Sequence, residues 1–273
     1  MSRPTLTRAQ QRKRSMSRLT WARRGSQFFF AAFVLWAAVR HQLENESGTA
    51  ASVDALCPFG AVETFITWIT TGTFITKIHG SNLILGLALL IATLLVGNAF
   101  CGWICPFGAL QDALTWVRNK LGLKARHLPP AWDAGLRWGR YVVLGVILYF
   151  SVTTATLWFA DYDPYVTLFG LHWLFEWSDA LWVGLGITAV VLAASVVIDR
   201  FWCRYLCPLG AVFAVLGHLS LLRIKRVEAT CTDCTLCDRP CPVGITVSKA
   251  NPWSTPTASG AWTAWPPARS RAR

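Results

Sequence analysis

The chain has 273 residues, 53% of them hydrophobic, with 15 tryptophans and only 15% Asp, Glu, Lys and Arg together. That charge content lies well below the roughly 25% usual for soluble domains, and with a mean hydropathy of +0.40 it argues against an ordinary soluble enzyme and for a membrane protein. The net charge of +12 does not point to nucleic acid, because the basic residues flank apolar runs instead of lining one amphipathic face.

Residues 1–24 hold eight Arg/Lys and no acid, so they read as a disordered, cytoplasmic leader. An apolar run from Gln27 to Val39 follows, shorter than the ~20 residues a spanning helix needs, with Arg24 and Arg40 placed to extend it by snorkelling. Residues 61–78 are amphipathic and threonine-rich, the pattern of a helix lying at an interface. Leu83–Phe100, Tyr141–Ala160 and Leu181–Ile198 read as three further spans. The connector from Arg118 to Arg140 has six Arg/Lys against the single acid Asp133, which places it inside. The loop with Asp161, Asp163, Glu176 and Asp179 has no Lys or Arg and belongs outside. The expected fold is thus an all-α membrane protein. Four transmembrane helices form two repeated hairpins with interfacial helices, both termini are cytoplasmic, and a C-terminal ferredoxin-like cluster loop follows. The expected divisions are a leader at 1–24, a transmembrane domain at 25–222, an iron–sulfur segment at 223–250 and a disordered tail at 251–273.

Nine cysteines are present, and all but Cys57 lie within four residues of another. That clustering favours ligand roles over a secreted disulfide framework. Cys231, Cys234, Cys237 and Cys241 form C-x2-C-x2-C-x3-C-P, the spacing that wraps a [4Fe–4S] cube. Zinc motifs instead pair two separated C-x2-C units, often with histidine, and no second unit lies nearby.

The two halves of the chain resemble each other. Cys57-Pro-Phe-Gly and Cys101-x3-Cys105-Pro-Phe-Gly in the first half answer Asp163-Pro-Tyr-Val and Cys203-x3-Cys207-Pro-Leu-Gly in the second. Such parallel repeats would carry the two C-x3-C-P motifs to the same face. Within each motif the sulfurs, four residues apart, can share one helical face. Together Cys101, Cys105, Cys203 and Cys207 supply either a four-thiolate site for a second iron–sulfur centre, or redox-active dithiols or a metal relay, or simple packing at helix ends. Cys57 stands apart and is read as structural.

On CGWICPFGAL, FWCRYLCPLGA and CTDCTLCDRPCP, with four apolar runs, residues 25–250 resemble the NapH/NosR-like family of membrane-bound ferredoxin-type proteins. The resemblance implies electron transfer from membrane quinol, through clusters at the cytoplasmic face of the bacterial inner membrane, to a soluble ferredoxin-type or terminal reductase partner. It also implies the role of a membrane subunit of a quinol dehydrogenase. A second reading in the same family is an assembly or regulatory factor that supplies electrons or metal to a maturing metalloenzyme. The family's ligands correspond to Cys101, Cys105, Cys203, Cys207, Cys231, Cys234, Cys237 and Cys241. Family members usually carry two ferredoxin motifs and this chain shows one. Codons permitted for Pro256 to Arg269, read one base back, can encode the second, so a shifted frame is one expectation and a single cube on the four loop cysteines the other. His79, His172, Glu63, Asp163 and His218 are candidate proton acceptors, each also readable as an ordinary interfacial residue. No histidine pair suits haem, and no G-x-G-x-x-G or P-loop supports nicotinamide or nucleotide chemistry.

Overall fold

The computed structural model describes residues 8–43, 57–72, 80–97, 99–123, 128–175 and 179–221, and every regular element among them is helical. In the first half these are α1 (Arg8–Leu43), α2 (Pro58–Thr71), α3 (Gly80–Val96), α4 (Ala99–Trp103) and α5 (Pro106–Lys120). After α6 (Pro130–Leu136) come α7 (Gly139–Thr154), α8 (Pro164–Phe169), α9 (His172–Phe175) and α10 (Asp179–Val197). A π-helix (Trp202–Leu206), α11 (Pro208–Leu216) and a 3-10 turn (Gly217–Leu219) complete the second half. The basic leader and the first apolar run share one helix, since α1 already begins at Arg8.

The halves interlock as well as repeat. Within the first, α2 packs on α3 and α5 on α1; within the second, α8 packs on α10 and α11 on α7. Across the halves, α2 lies on α7 and α8 on α1, while α5 lies on α10 and α11 on α3. Within each half the helices approach closely at a glycine. A Cβ on Gly86 of α3 would stand 2.5 Å from the Ala61 Cβ of α2, and one on Gly184 of α10 would stand 2.8 Å from the Thr167 hydroxyl of α8.

No helix among the described residues is long and apolar enough to cross a membrane, which overturns the expected four-helix transmembrane domain. The hydropathic runs are longer than the helices that carry them. The expected span Leu83–Phe100 crosses Gly97, whose left-handed φ of 73° ends α3 after 17 residues. Tyr141–Ala160 likewise crosses Ala155 at φ 51°, which ends the 16-residue α7. At 1.5 Å per residue these helices reach only about 24–26 Å, against a hydrocarbon core of about 30 Å. The apolar part of α1 is confined between Arg24 and Arg40, and α10, with 19 residues, starts on Asp179.

The expected interfacial helix at 61–78 starts earlier and stops sooner, as α2. Its Cys57 cap is extended, Pro58 opens the first turn, and Gly72 at φ 69° closes it by donating its N–H to the Trp68 carbonyl. Its polar residues Glu63, Thr64 and Thr67 face inward, while Phe65, Trp68 and Ile69 face outward. Small hydroxyls tolerate burial here because the helix itself satisfies them: Thr64, Thr93 and Ser195 donate to carbonyls four residues back at 2.7–2.8 Å. Large side chains on the outer faces of α1, α3, α7 and α10, including Phe28, Ile84, Val142 and Val190, leave the exterior strongly apolar.

Candidate metal centre

Each C-x3-C-P motif folds as a broken helix. Cys101 lies within α4, the helix stops, and Cys105 takes φ −62°, ψ 117° as the cap of α5, with Pro106 opening the next helix. In the second half Cys203 lies within the π-helix, and Cys207 caps α11 at φ −63°, ψ 116°. Proline disfavours helical geometry in the residue before it and favours the first turn after it, so one dipeptide produces both the break and the restart. The two sulfurs of a motif therefore sit on consecutive elements and not, as the spacing alone implied, on one helical face.

The glycine three residues after each second cysteine closes the turn. A Cβ on Gly108 would stand 2.6 Å from the Cys101 carbonyl oxygen, so α5 can fold back against the turn only with glycine there. At Gly210 the matching distance to the Cys203 carbonyl is 3.4 Å.

Cys101, Cys105, Cys203 and Cys207 line one cavity of about 160 Å³ between the two halves. No disulfide joins any of them, nor Cys57. Phe30, Phe59, Phe107, Phe159 and Trp202 supply much of the apolar wall. Burial pushes all four thiols up, Cys105 to about 12, and neighbouring thiols raise Cys101, Cys105 and Cys207 further. Opposing this, the Arg200 guanidinium favours the thiolate forms of Cys203, Cys101 and Cys105. Gln111, fully buried, donates from Nε2 to the Cys203 sulfur at 3.3 Å.

Among the described residues no three or more His, Cys, Asp or Glu side chains are gathered closely enough for a single metal ion. Thiolates on one ion must each approach to about 2.3 Å, whereas a cube takes one thiolate at each of four separate corners. Four sulfurs spread around one apolar cavity fit the larger group.

Cys57, expected to be structural and remote, lines the same cavity, with its Sγ 3.9 Å from Asp163 Oδ2. Cys57, Cys105, Asp163 and Cys207 are four equivalent corners, each an extended helix cap followed by proline. The sequence held a signal for this, because Cys57-Pro-Phe-Gly repeats Cys105-Pro-Phe-Gly word for word. A smaller cavity behind Cys57 and Asp163 is lined by Glu63, which accepts from the Ser151 hydroxyl at 2.9 Å. Burial, reinforced by Asp163, pushes Glu63 up to about 7.

The loop cysteines Cys231, Cys234, Cys237 and Cys241 lie outside the described residues, as does His79. His172 opens α9, away from the chain's cysteines in sequence, and His218 is exposed on the 3-10 turn. Arg200, Asp112 and Gln111 were not singled out by motif, since nothing in their spacing relates them to the cysteines.

A family profile described as "4Fe-4S binding domain" matches the chain twice, over residues 78–124 and 180–226. Each match contains one C-x3-C-P motif, and neither reaches the ferredoxin-type loop at 231–241. YccM of Escherichia coli K12 is 28% identical over 226 residues, which is 81% of this chain and 63% of that protein. NirI of Paracoccus denitrificans is 34% identical over 54% of this chain and 21% of its own length. The ferredoxin-type protein NapH of Haemophilus influenzae is 31% identical over 53% of this chain and 47% of its own. The chain thus spans less than two thirds of each of these relatives. No solved structure matches. Two matches to a 4Fe–4S binding repeat and relatives of this kind make the chain similar to NapH-like 4Fe–4S ferredoxin-type proteins.

Proposed function

We propose that Cys101, Cys105, Cys203 and Cys207 hold one [4Fe–4S] cluster and that Cys231, Cys234, Cys237 and Cys241 hold another. Through them the chain passes electrons between quinol and a partner redox protein, either a soluble ferredoxin-type protein or a terminal reductase, at the bacterial inner membrane. The observation that carries the reading is the placement of four thiols from two sequence-distant motifs around one cavity. When bound, such a cluster stores and releases one electron at a time.

The chain's own residues do the rest. The aromatic wall gives the cavity a mainly apolar lining, which tunes the potential of a cluster held there. The four thiols lose their protons on loading, a step that burial opposes and the Arg200 charge assists at Cys101, Cys105 and Cys203. Oxidation of quinol releases protons as well as electrons. Glu63, lining the cavity behind Cys57 with a pKa of about 7, is suited to accept one. The exposed apolar faces of α1, α3, α7 and α10 support contact with the lipid in which quinol travels.

Iron and acid-labile sulfide are counted on anaerobically purified protein, with EPR of the reduced state. Cys105→Ser removes one cluster's worth of iron and its signal, and Cys234→Ser removes the other. Full iron content in Cys105→Ser would rule the cavity out as a ligand site. Reduction of the wild-type centres by menaquinol tests the donor, and a failure of quinol to reduce either centre would exclude it.

A further inference from the structure

The likeness of the two C-x3-C-P halves breaks at one thiol. Cys203 receives the Gln111 hydrogen bond at 3.3 Å and lies in the field of Arg200. The equivalent positions of the repeat hold different residues. The position six after Cys207, the counterpart of Gln111, is Phe213, whose ring packs edge-on to Phe100 at 5.8 Å. The position three before Cys101, the counterpart of Arg200, is Asn98.

Arg200 is held with care. Its Nε and Nη2 each donate to one oxygen of Asp112 at 2.7 Å, a two-pronged bond that fixes the plane of the guanidinium. Its Nη1 reaches the Cys101 carbonyl at 3.5 Å. Asp112 also accepts from Gln27 at 2.9 Å and from Arg23, so two cations share one carboxylate and a positive charge is left over. Arg200 is 3% exposed and adopts φ 52°, a conformation that Asn and Gly take at lower cost. The cost of burying this cation on a left-handed backbone is offset in part by its two-pronged bond to Asp112.

We infer that Arg200 and Gln111 are positioning residues that raise the reduction potential of the four-cysteine centre from its Cys203 side. This rests on the reading that Cys101, Cys105, Cys203 and Cys207 hold a cluster. A thiolate-bound cube is net negative and gains a further negative charge on reduction. A fixed cation beside it, and an N–H donated to a ligand sulfur, both favour the reduced form. Asp112 acts through Arg200, by preventing the guanidinium from turning to solvent.

The test is an EPR-monitored redox titration of the full chain, following the signal that Cys105→Ser abolishes. Arg200→Asn places the first half's own residue there, suits the left-handed backbone, and leaves Asp112 its bonds to Arg23 and Gln27. It lowers the equilibrium constant for reduction at least tenfold, a fall of about 59 mV for one electron. Gln111→Met keeps the shape, removes the donor and lowers the potential by a smaller amount, and Arg200→Lys restores part of the loss. Potentials unchanged in cluster-loaded Arg200→Asn and Gln111→Met overturn the inference and leave the four-cysteine reading standing. A wild-type chain with no signal sensitive to Cys105→Ser overturns both.

Discussion

Gly108→Ala destabilises the protein by about 1–3 kcal/mol, the usual range for an added methyl group in a packed site, and lowers the iron bound at the cavity, while Gly210→Ala does markedly less. The two glycines hold the same place in the two motifs, so propensity alone predicts equal effects. Packing separates them. The new methyl at 108 meets the Cys101 carbonyl oxygen at 2.6 Å, a backbone atom of the turn that carries two of the cavity's thiols. It is relieved only by opening that turn. At 210 the nearest atom is 3.4 Å away, which a shift of a few tenths of an ångström accommodates. Urea unfolding and iron counting on both variants check this; losses of equal size at the two positions would show that the turns are equally tight.

Glu63→Gln stabilises the protein at pH 8 and flattens its stability between pH 5 and 8. Glu63 is 2% exposed, and burial raises its pKa from 4.5 to about 7. The folded state therefore holds the carboxyl proton more tightly than the unfolded state does. Stability is greatest below the unfolded value of 4.5, falls as pH rises toward 7, and is flat above it. Each pH unit between those two values costs about 1.4 kcal/mol, so the total loss is about 3 kcal/mol. The amide of Gln carries no charge and its oxygen still accepts from Ser151, so the loss disappears. Asp163 also raises the Glu63 pKa, and the coupling between the two carboxyls is part of the Glu63 effect. Subtracting the two pH profiles isolates Glu63; a difference that does not change between pH 5 and 8 would mean the carboxyl is not held neutral by the fold.

Legibility from sequence was uneven, for reasons that differ from element to element. The duplication was plain, because Cys-Pro is a strong local signal: it sets an extended cap and a helix start wherever it occurs, as Cys105 and Cys207 do with nearly the same backbone angles. The inward face of α2 was not. Amphipathic periodicity marks Phe65, Trp68 and Ile69 as one face but carries no information on which side is covered, and α3 and α7 cover the threonine side. Helix ends were the weakest point. Hydropathy ran on through Gly97 and Ala155, since a left-handed residue breaks a helix without interrupting an apolar run. The expected spans Leu83–Phe100 and Tyr141–Ala160 failed on that ground.

The sequence by itself determined the cysteine repeat and the start of each capped helix, both of which depend on neighbours within a few residues. Only the tertiary structure decided that thiols about a hundred residues apart line one cavity. It alone brought Cys57 to that cavity with them, and it alone made Cys203, of two equivalent positions, the one that receives the Gln111 hydrogen bond. Those contacts arise where one half packs across the other, and a helix crossing leaves no mark in the spacing of the residues that make it.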